Sequence, residues 1–123
     1  MKTFFNFSLP LDDASLMTTV RLTVGGLAAA AGLDVDAGED FKVCVTESLL
    51  IFKRNGYALA NARFTLDNGI EASLTAEHPS ASREDCTLED EISYALLGAL
   101  VDEASFEKKG NAVTGVTLIK KSV

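Results

Sequence analysis

The sequence has few of the residues that build metal sites. Its 123 residues include one histidine, His78, and two cysteines, Cys44 and Cys86, which do not form a CxxC pair. A structural zinc ion needs a full set of such ligands, so we expect no metal centre. Cys44 falls among apolar residues, which indicates a core position, whereas Cys86 falls in a polar segment.

Basic residues are also scarce. The chain has 11 lysines and arginines against 18 aspartates and glutamates, for a net charge of −7 at pH 7 and a pI near 4.6. A protein that binds DNA or RNA needs a basic face for the phosphates. We therefore expect no direct nucleic-acid partner, and an acidic surface instead suits a basic protein partner.

Long apolar runs are missing as well. No stretch approaches the roughly 20 apolar residues that cross a bilayer, and the first residues, MKTFFNFSLP, lack the pattern of a cleavable signal peptide. We therefore expect no membrane partner and a cytoplasmic location. The length predicts a single domain, residues 1–123, with a buried core.

The strongest local signal is the segment DAGEDFKVCVTESLLIFKR, residues 36–54. Asp36 with Glu39 predicts a capping box at the start of a helix, and Asn55-Gly56 predicts its end. Mostly apolar residues recur within it at helical spacing. They are Phe41, Cys44, Val45, Ser48, Leu49 and Phe52.

Alternation and helical periodicity predict the other elements. They are a strand at 3–9, a helix from 12 or 13 to about 31 that Gly32 closes, strands at 62–66 and 70–76, a loop at 77–86, a helix from 87 to about 103, and strands at 104–108 and 113–121. The Asn68-Gly69 pair predicts a hairpin turn at 67–69. The apolar stripe of the third helix should consist of Leu88, Ile92, Ala95, Leu96, Ala99 and Leu100.

These elements predict an α+β fold. The order is β-α-α-β-β-α-β-β, and it favours a two-layer sandwich in which about three helices cover one face of a mostly antiparallel sheet. The strand at 70–76 supports this because apolar residues alternate with polar ones, as they do in a sheet that is buried on one side only.

Three stretches carry a resemblance. They are RLTVGGLAAAAGLD at 21–34, EDFKVCVTESLL at 39–50 and LLGALVDEASFEKKGNAVTGVTLIKK at 96–121. In this order and spacing the chain resembles the anti-sigma-factor serine kinases of bacteria, which share the histidine-kinase-like ATPase fold with gyrase and heat-shock chaperones. The resemblance implies that fold. It also implies the activity of an ATP-dependent protein serine kinase with bound magnesium.

The resemblance assigns a catalytic role to one residue. Family members present a glutamate that activates the attacking water or hydroxyl, and four residues later an asparagine that holds magnesium. Glu47 fits the first position, but Ile51 occupies the second and offers no oxygen to a hard cation. Glu47 is therefore either a general base or a polar helix residue paired with Lys42 or Arg54.

The remaining nucleotide positions depart from the family pattern. The resemblance implies an aspartate and a glycine that receive adenine, and Ala76 and His78 stand there. It also implies glycines that cradle phosphate at the start of the third helix, and Glu91 and Ser93 stand there. Neighbouring carboxylates in that segment would repel a triphosphate.

Three functions therefore stay open. The first is a regulatory protein-binding module, a pseudo-ATPase without a cofactor, whose partner is a protein such as a sigma factor or an anti-sigma antagonist. The second is an active kinase that binds ATP and magnesium through motifs other than those aligned here. The third is a domain whose pocket binds another small ligand. Family members dimerise through the sheet and first helix, which leaves open a homodimer.

Overall fold

The computed structural model describes residues 2–79 and 87–122. The elements follow as β1 (Thr3–Pro10), α1 (Leu16–Ala30), α2 (Val35–Arg54), β2 (Tyr57–Leu66), β3 (Gly69–Pro79), α3 (Thr87–Leu100), β4 (Glu103–Lys109) and β5 (Ala112–Lys121). All paired strands are antiparallel, in the sheet order β1-β2-β3-β5-β4. The predicted α+β class is confirmed.

One face of the sheet packs against the helices. In β3, Ile70, Ala72 and Leu74 are buried, while the intervening residues face outward and are at least partly exposed. Above them α2 contacts α1, α3 and strands of the sheet. The six residues predicted for the inner face of α2 are all buried, among them Phe41 and Phe52, so α2 provides much of the core.

The predicted turn between β2 and β3 is confirmed. Asn68 and Gly69 both have positive φ, 54° and 126°. A Cβ on Gly69 would lie 2.6 Å from the backbone oxygen of Lys120. Glycine is required there because it alone combines that dihedral angle with so close a backbone approach.

The predicted start of α2 is wrong by two residues. Asp34, in extended conformation, caps the helix, and its Oδ1 accepts a hydrogen bond of 2.8 Å from the amide of Ala37. Asp36 lies inside the first turn, and Glu39 pairs with Lys42 at 2.6 Å instead of closing a capping box. The predicted end is confirmed, since Asn55 is the C-cap and Gly56 has φ 90°.

Other boundaries differ from the sequence prediction as well. β2 begins at Tyr57, before the predicted start at residue 62. α1 begins at Leu16, after the predicted start, because the carboxylate of Asp13 accepts hydrogen bonds from Ser15 and forms a turn before the helix. β3 continues through Pro79, so the predicted loop loses its first three residues to the strand. The rest of that loop, including Cys86, lies outside the described residues. α3 ends at Leu100, earlier than predicted.

The predicted inner face of α3 is wrong except at Leu100, which is partly buried against the core. Leu88, Ile92 and Leu96 are 67%, 55% and 36% exposed, and Ala95 and Ala99 are exposed as well. Ser93 and Leu97 are buried instead. Ser93 and Asp90 bind polar groups at the end of α2, and those contacts turn the apolar stripe outward.

Because Asp34 caps α2, the Asp34→Ala variant should lower the free energy of unfolding by about 1 kcal/mol. The matched control, Asp36→Ala, should cost only about 0.3–0.5 kcal/mol, because Asp36 acts through the helix dipole alone. Urea denaturation of both variants measures the difference. A larger loss for Asp36→Ala would contradict the assignment of the cap.

Candidate functional site

The candidate site is a cluster of polar side chains between the end of α2 and the first turns of α3. We call it the α2–α3 network, and it consists of Glu47, Arg54, Asn55, Asp90 and Ser93. Seven residues separate Glu47 from Arg54, which is about two turns, so both lie on one side of α2. Asp90 and Ser93 are three residues apart and share one face of α3.

Ser93 is the centre of the network. Its hydroxyl donates to Oε2 of Glu47 at 2.8 Å and accepts from Nη2 of Arg54 at 2.7 Å. The residue is 2% exposed. The hydroxyl therefore links the candidate general base to a guanidinium group, and both hydrogen bonds include a charged group, which strengthens them.

Arg54 and Asp90 form an ion pair across the two helices. Nε of Arg54 lies 2.7 Å from Oδ1 of Asp90, and each side chain is 17% exposed. A largely buried charge requires a partner and further hydrogen bonds. Ser93 supplies one to Arg54, and Asn55 supplies one to Asp90 at 3.0 Å.

Asn55 connects the network to the sheet. Its Nδ2 donates to the carbonyl of Ile51 at 2.8 Å as well as to Asp90, and its Oδ1 accepts from the amide of Val113 at 3.0 Å. The residue is 7% exposed. Within the residues that the structure describes, every buried side-chain nitrogen and oxygen has a hydrogen-bond partner.

The six sequence-predicted positions do not form one pocket-facing group. Glu47 and Ser93 are bonded to each other. Ile51 is fully buried, and Ala76 is half-buried against the core. His78 and Glu91 are exposed, and Glu91 precedes the buried Ser93 by two positions, which points it away from the network.

Of the two partners considered for Glu47, Lys42 pairs with Glu39 instead. Arg54 reaches Glu47 through the hydroxyl of Ser93. Ser93, which stands where the resemblance implies a phosphate-binding glycine, therefore connects Glu47 to Arg54.

Sequence analysis missed Arg54, Asn55 and Asp90 as members of a site. Arg54 was considered as a possible partner of Glu47 but not as part of a site, although their seven-residue spacing indicated a shared face. Asn55 was interpreted only as the end of the helix. Asp90 was considered as one of the carboxylates near the start of the third helix that would repel a triphosphate. These residues meet because α2 packs against α3, and local sequence patterns do not predict that packing.

Two other candidate chemistries find no support in the part of the chain that is described. Burial raises the pKa of the Cys44 thiol from 9.0 to about 12, and the nearby Asp40 adds to the effect. The thiol therefore stays protonated and is not a nucleophile. Residues 2–79 and 87–122 contain no group of three His, Cys, Asp or Glu side chains placed to hold a metal ion.

Among the same residues, no helix has the length and apolar character to span a membrane.

No protein-family model matches the sequence, and no curated protein matches it significantly.

The Asn55→Asp variant tests the network. It keeps the acceptor for Val113 but removes both donated hydrogen bonds and sets a second carboxylate beside Asp90. We expect a loss of about 2–4 kcal/mol in the free energy of unfolding at pH 7. The loss should shrink near pH ~4, because a proton shared by the two carboxyl groups restores a donor.

Asn6→Asp is the matched control, since Asn6 is exposed on the outer face of the sheet and lies opposite Arg63. It should change stability by less than about 0.5 kcal/mol at either pH. Urea denaturation at the two pH values measures both variants. Equal effects of the two substitutions would show that Asn55 does not hold the network together.

Proposed function

We propose that this chain is a regulatory protein-binding domain related to the anti-sigma-factor serine kinases, with their histidine-kinase-like ATPase fold but without ATP hydrolysis. It would act without a cofactor, in the cytoplasm, on a protein partner such as a sigma factor or an anti-sigma antagonist. One observation carries the proposal. Glu47, the candidate general base, is bonded to Ser93, which is bonded in turn to Arg54.

A general base must reach the proton that it removes. Oε2 of Glu47 instead accepts the hydroxyl of Ser93 at 2.8 Å, and the guanidinium group of Arg54 lies on the other side of that hydroxyl. A substrate hydroxyl or water would have to displace this contact. The arrangement supports a structural role for Glu47, which ties α2 to α3.

The magnesium position supports the same conclusion. Ile51 lies one turn after Glu47, where the resemblance expects an asparagine, and its side chain is fully buried. Magnesium binds oxygen ligands and keeps several waters. A buried aliphatic side chain provides neither an oxygen nor space for hydrated ions.

The start of α3 is unsuited to a triphosphate. A helix N-terminus attracts anions through its free amides and its dipole. The first turns of α3 carry Glu89, Asp90 and Glu91, and the guanidinium group of Arg54, which reaches this part of α3, is bound to Asp90 and Ser93. The phosphates of a triphosphate bound there would lie close to these carboxylates, which would repel them.

The backbone at His78 favours descent from a nucleotide-binding ancestor. His78 has φ 57°, in the left-handed region that glycine adopts most readily and other residues adopt at a cost. It stands at the position where the resemblance implies a glycine. We therefore interpret the chain as a fold of ATPase type in which side chains have replaced the nucleotide-binding groups.

Thermal unfolding with Mg-ATP tests the proposal. At about 1,000 times a micromolar Kd, a working nucleotide site would stabilise the fold by about 4 kcal/mol. We expect no change in the unfolding midpoint. Differential scanning calorimetry, with magnesium alone as the reference, measures the effect.

The Glu47→Gln variant identifies the alternative, an active ATP-binding kinase. In that case the wild-type chain would be stabilised by Mg-ATP and would transfer phosphate to a protein serine. The variant would keep the stabilisation and lose the transfer, because an amide cannot act as a base. Stabilisation of the wild-type chain by Mg-ATP, or phosphate transfer by the wild-type chain, would refute the proposal that it is a pseudo-ATPase.

Capture of partners by the immobilised chain from a lysate of the source organism addresses the regulatory role. Recovery of a sigma factor or of an anti-sigma antagonist at near-equal amounts would support the proposal. Recovery of neither, in repeated captures at low salt, would argue against it.

A further inference from the structure

The outer face of α3 is apolar. Leu88, Ile92 and Leu96 repeat every four residues and are 67%, 55% and 36% exposed. Ala95 and Ala99 lie on the same side of the helix and are exposed as well. Positions spaced in this way share one side of a helix, so these five residues form one continuous surface, which we call the α3 stripe.

The α2–α3 network explains why this stripe faces outward. Asp90 and Ser93 must point toward Arg54, and Leu97, four residues after Ser93, is fully buried on the same side. The opposite side of a surface helix normally carries polar residues. In α3 it carries three large aliphatic side chains, which is the pattern of a surface that a partner covers.

The charged residues that α3 itself places beside the α3 stripe are of one sign. Glu89 and Glu91 are exposed, and at 3.6 residues per turn they lie on opposite edges of the stripe, near its N-terminal end. The sequence of α3, TLEDEISYALLGAL, contains no lysine or arginine. The surface is therefore an apolar strip between two carboxylates, in a chain whose net charge is −7.

We propose that the α3 stripe docks a cationic amphipathic helix of a protein partner. Leucine or isoleucine side chains of the partner would pack against Leu88, Ile92 and Leu96, and its lysines or arginines would lie over Glu89 and Glu91. Helices recognise apolar grooves and faces in this manner, and flanking charges of opposite sign set orientation and association rate. The inference rests on the proposed role as a protein-binding domain.

The carboxylates of α3 disfavour two other occupants of the α3 stripe, a second copy of the chain and a membrane. Two copies of α3 packed through their stripes would set the carboxylates of one helix against those of the other, since α3 itself contains no lysine or arginine. A membrane with anionic lipids attracts basic surfaces, and the exposed carboxylates of Glu89 and Glu91 oppose that attraction.

Two synthetic peptides of about 18 residues test the proposal on the full chain. Both are amphipathic helices with leucine on one face, and they differ only in lysine or glutamate on the other. Fluorescence anisotropy measures binding. The lysine peptide should bind and the glutamate peptide should not, and added salt should weaken the lysine peptide's affinity.

Variants locate the contact. Ile92→Ser should weaken the lysine peptide about tenfold or more, because it removes the central anchor. Replacing both Glu89 and Glu91 with glutamine should weaken it several-fold and reduce the salt dependence. Leu22→Ser is the matched control, since Leu22 is 74% exposed on α1, and it should leave affinity unchanged. All three variants should keep the wild-type circular dichroism spectrum and unfolding midpoint.

Several results would overturn the proposal. They are no binding of the lysine peptide, equal binding of the glutamate peptide, or equal weakening by Leu22→Ser and Ile92→Ser. Self-association of the chain that Ile92→Ser abolishes would identify a second copy as the occupant. Binding to anionic phosphatidylserine vesicles that Ile92→Ser abolishes would identify a membrane.

The outcomes also separate this inference from the proposed function. If Mg-ATP stabilises the chain and the lysine peptide still binds through Ile92, the docking surface stands and the pseudo-ATPase does not. If nucleotide has no effect and a captured sigma factor remains bound to the Ile92→Ser variant, the regulatory role stands and the docking surface is refuted.

Discussion

The guanidinium group of Arg54 fixes how α3 sits on the rest of the domain. It donates to Asp90 and to Ser93 at 2.7 Å each, and a charge that is largely removed from water must keep such partners. The rotation of α3 about its own axis therefore follows from polar contacts. On the inner side of α3, Ser93 therefore donates a hydrogen bond to Glu47. On its outer side, the α3 stripe is exposed to solvent.

Local patterns predicted the elements whose determinants are local. The Asn68-Gly69 turn, the end of α2 and its inner face follow from turn chemistry and helical spacing. The start of α2 was misplaced because Asp34 and Asp36 both offer a capping carboxylate, and the local sequence favoured the one followed by Glu39. In α3, periodicity grouped Leu88, Ile92 and Leu96 correctly but cannot decide which face turns inward.

Local sequence patterns were limited in the same way in predicting the candidate site. The resemblance singled out Glu47 and Ser93, and the structure joins them. The contacts that complete the network join different elements: Arg54 and Asp90 are 36 residues apart, and Asn55 and Val113 are 58 apart. Contacts over such separations are set by the packing of α2 against α3 and β5. The residue types in the network could be read from the sequence, but their proximity in the fold could not.

The central proposal is that side chains of the chain itself occupy the position at Glu47 where a substrate would otherwise react. A crystal structure determined from crystals grown with excess Mg-ADP tests this most directly. The account predicts that Ser93 remains within hydrogen-bond distance of both Glu47 and Arg54, as in the present 2.8 and 2.7 Å contacts, and that no nucleotide is ordered beside α2. A nucleotide ordered against α2, with Glu47 released from Ser93, would contradict it.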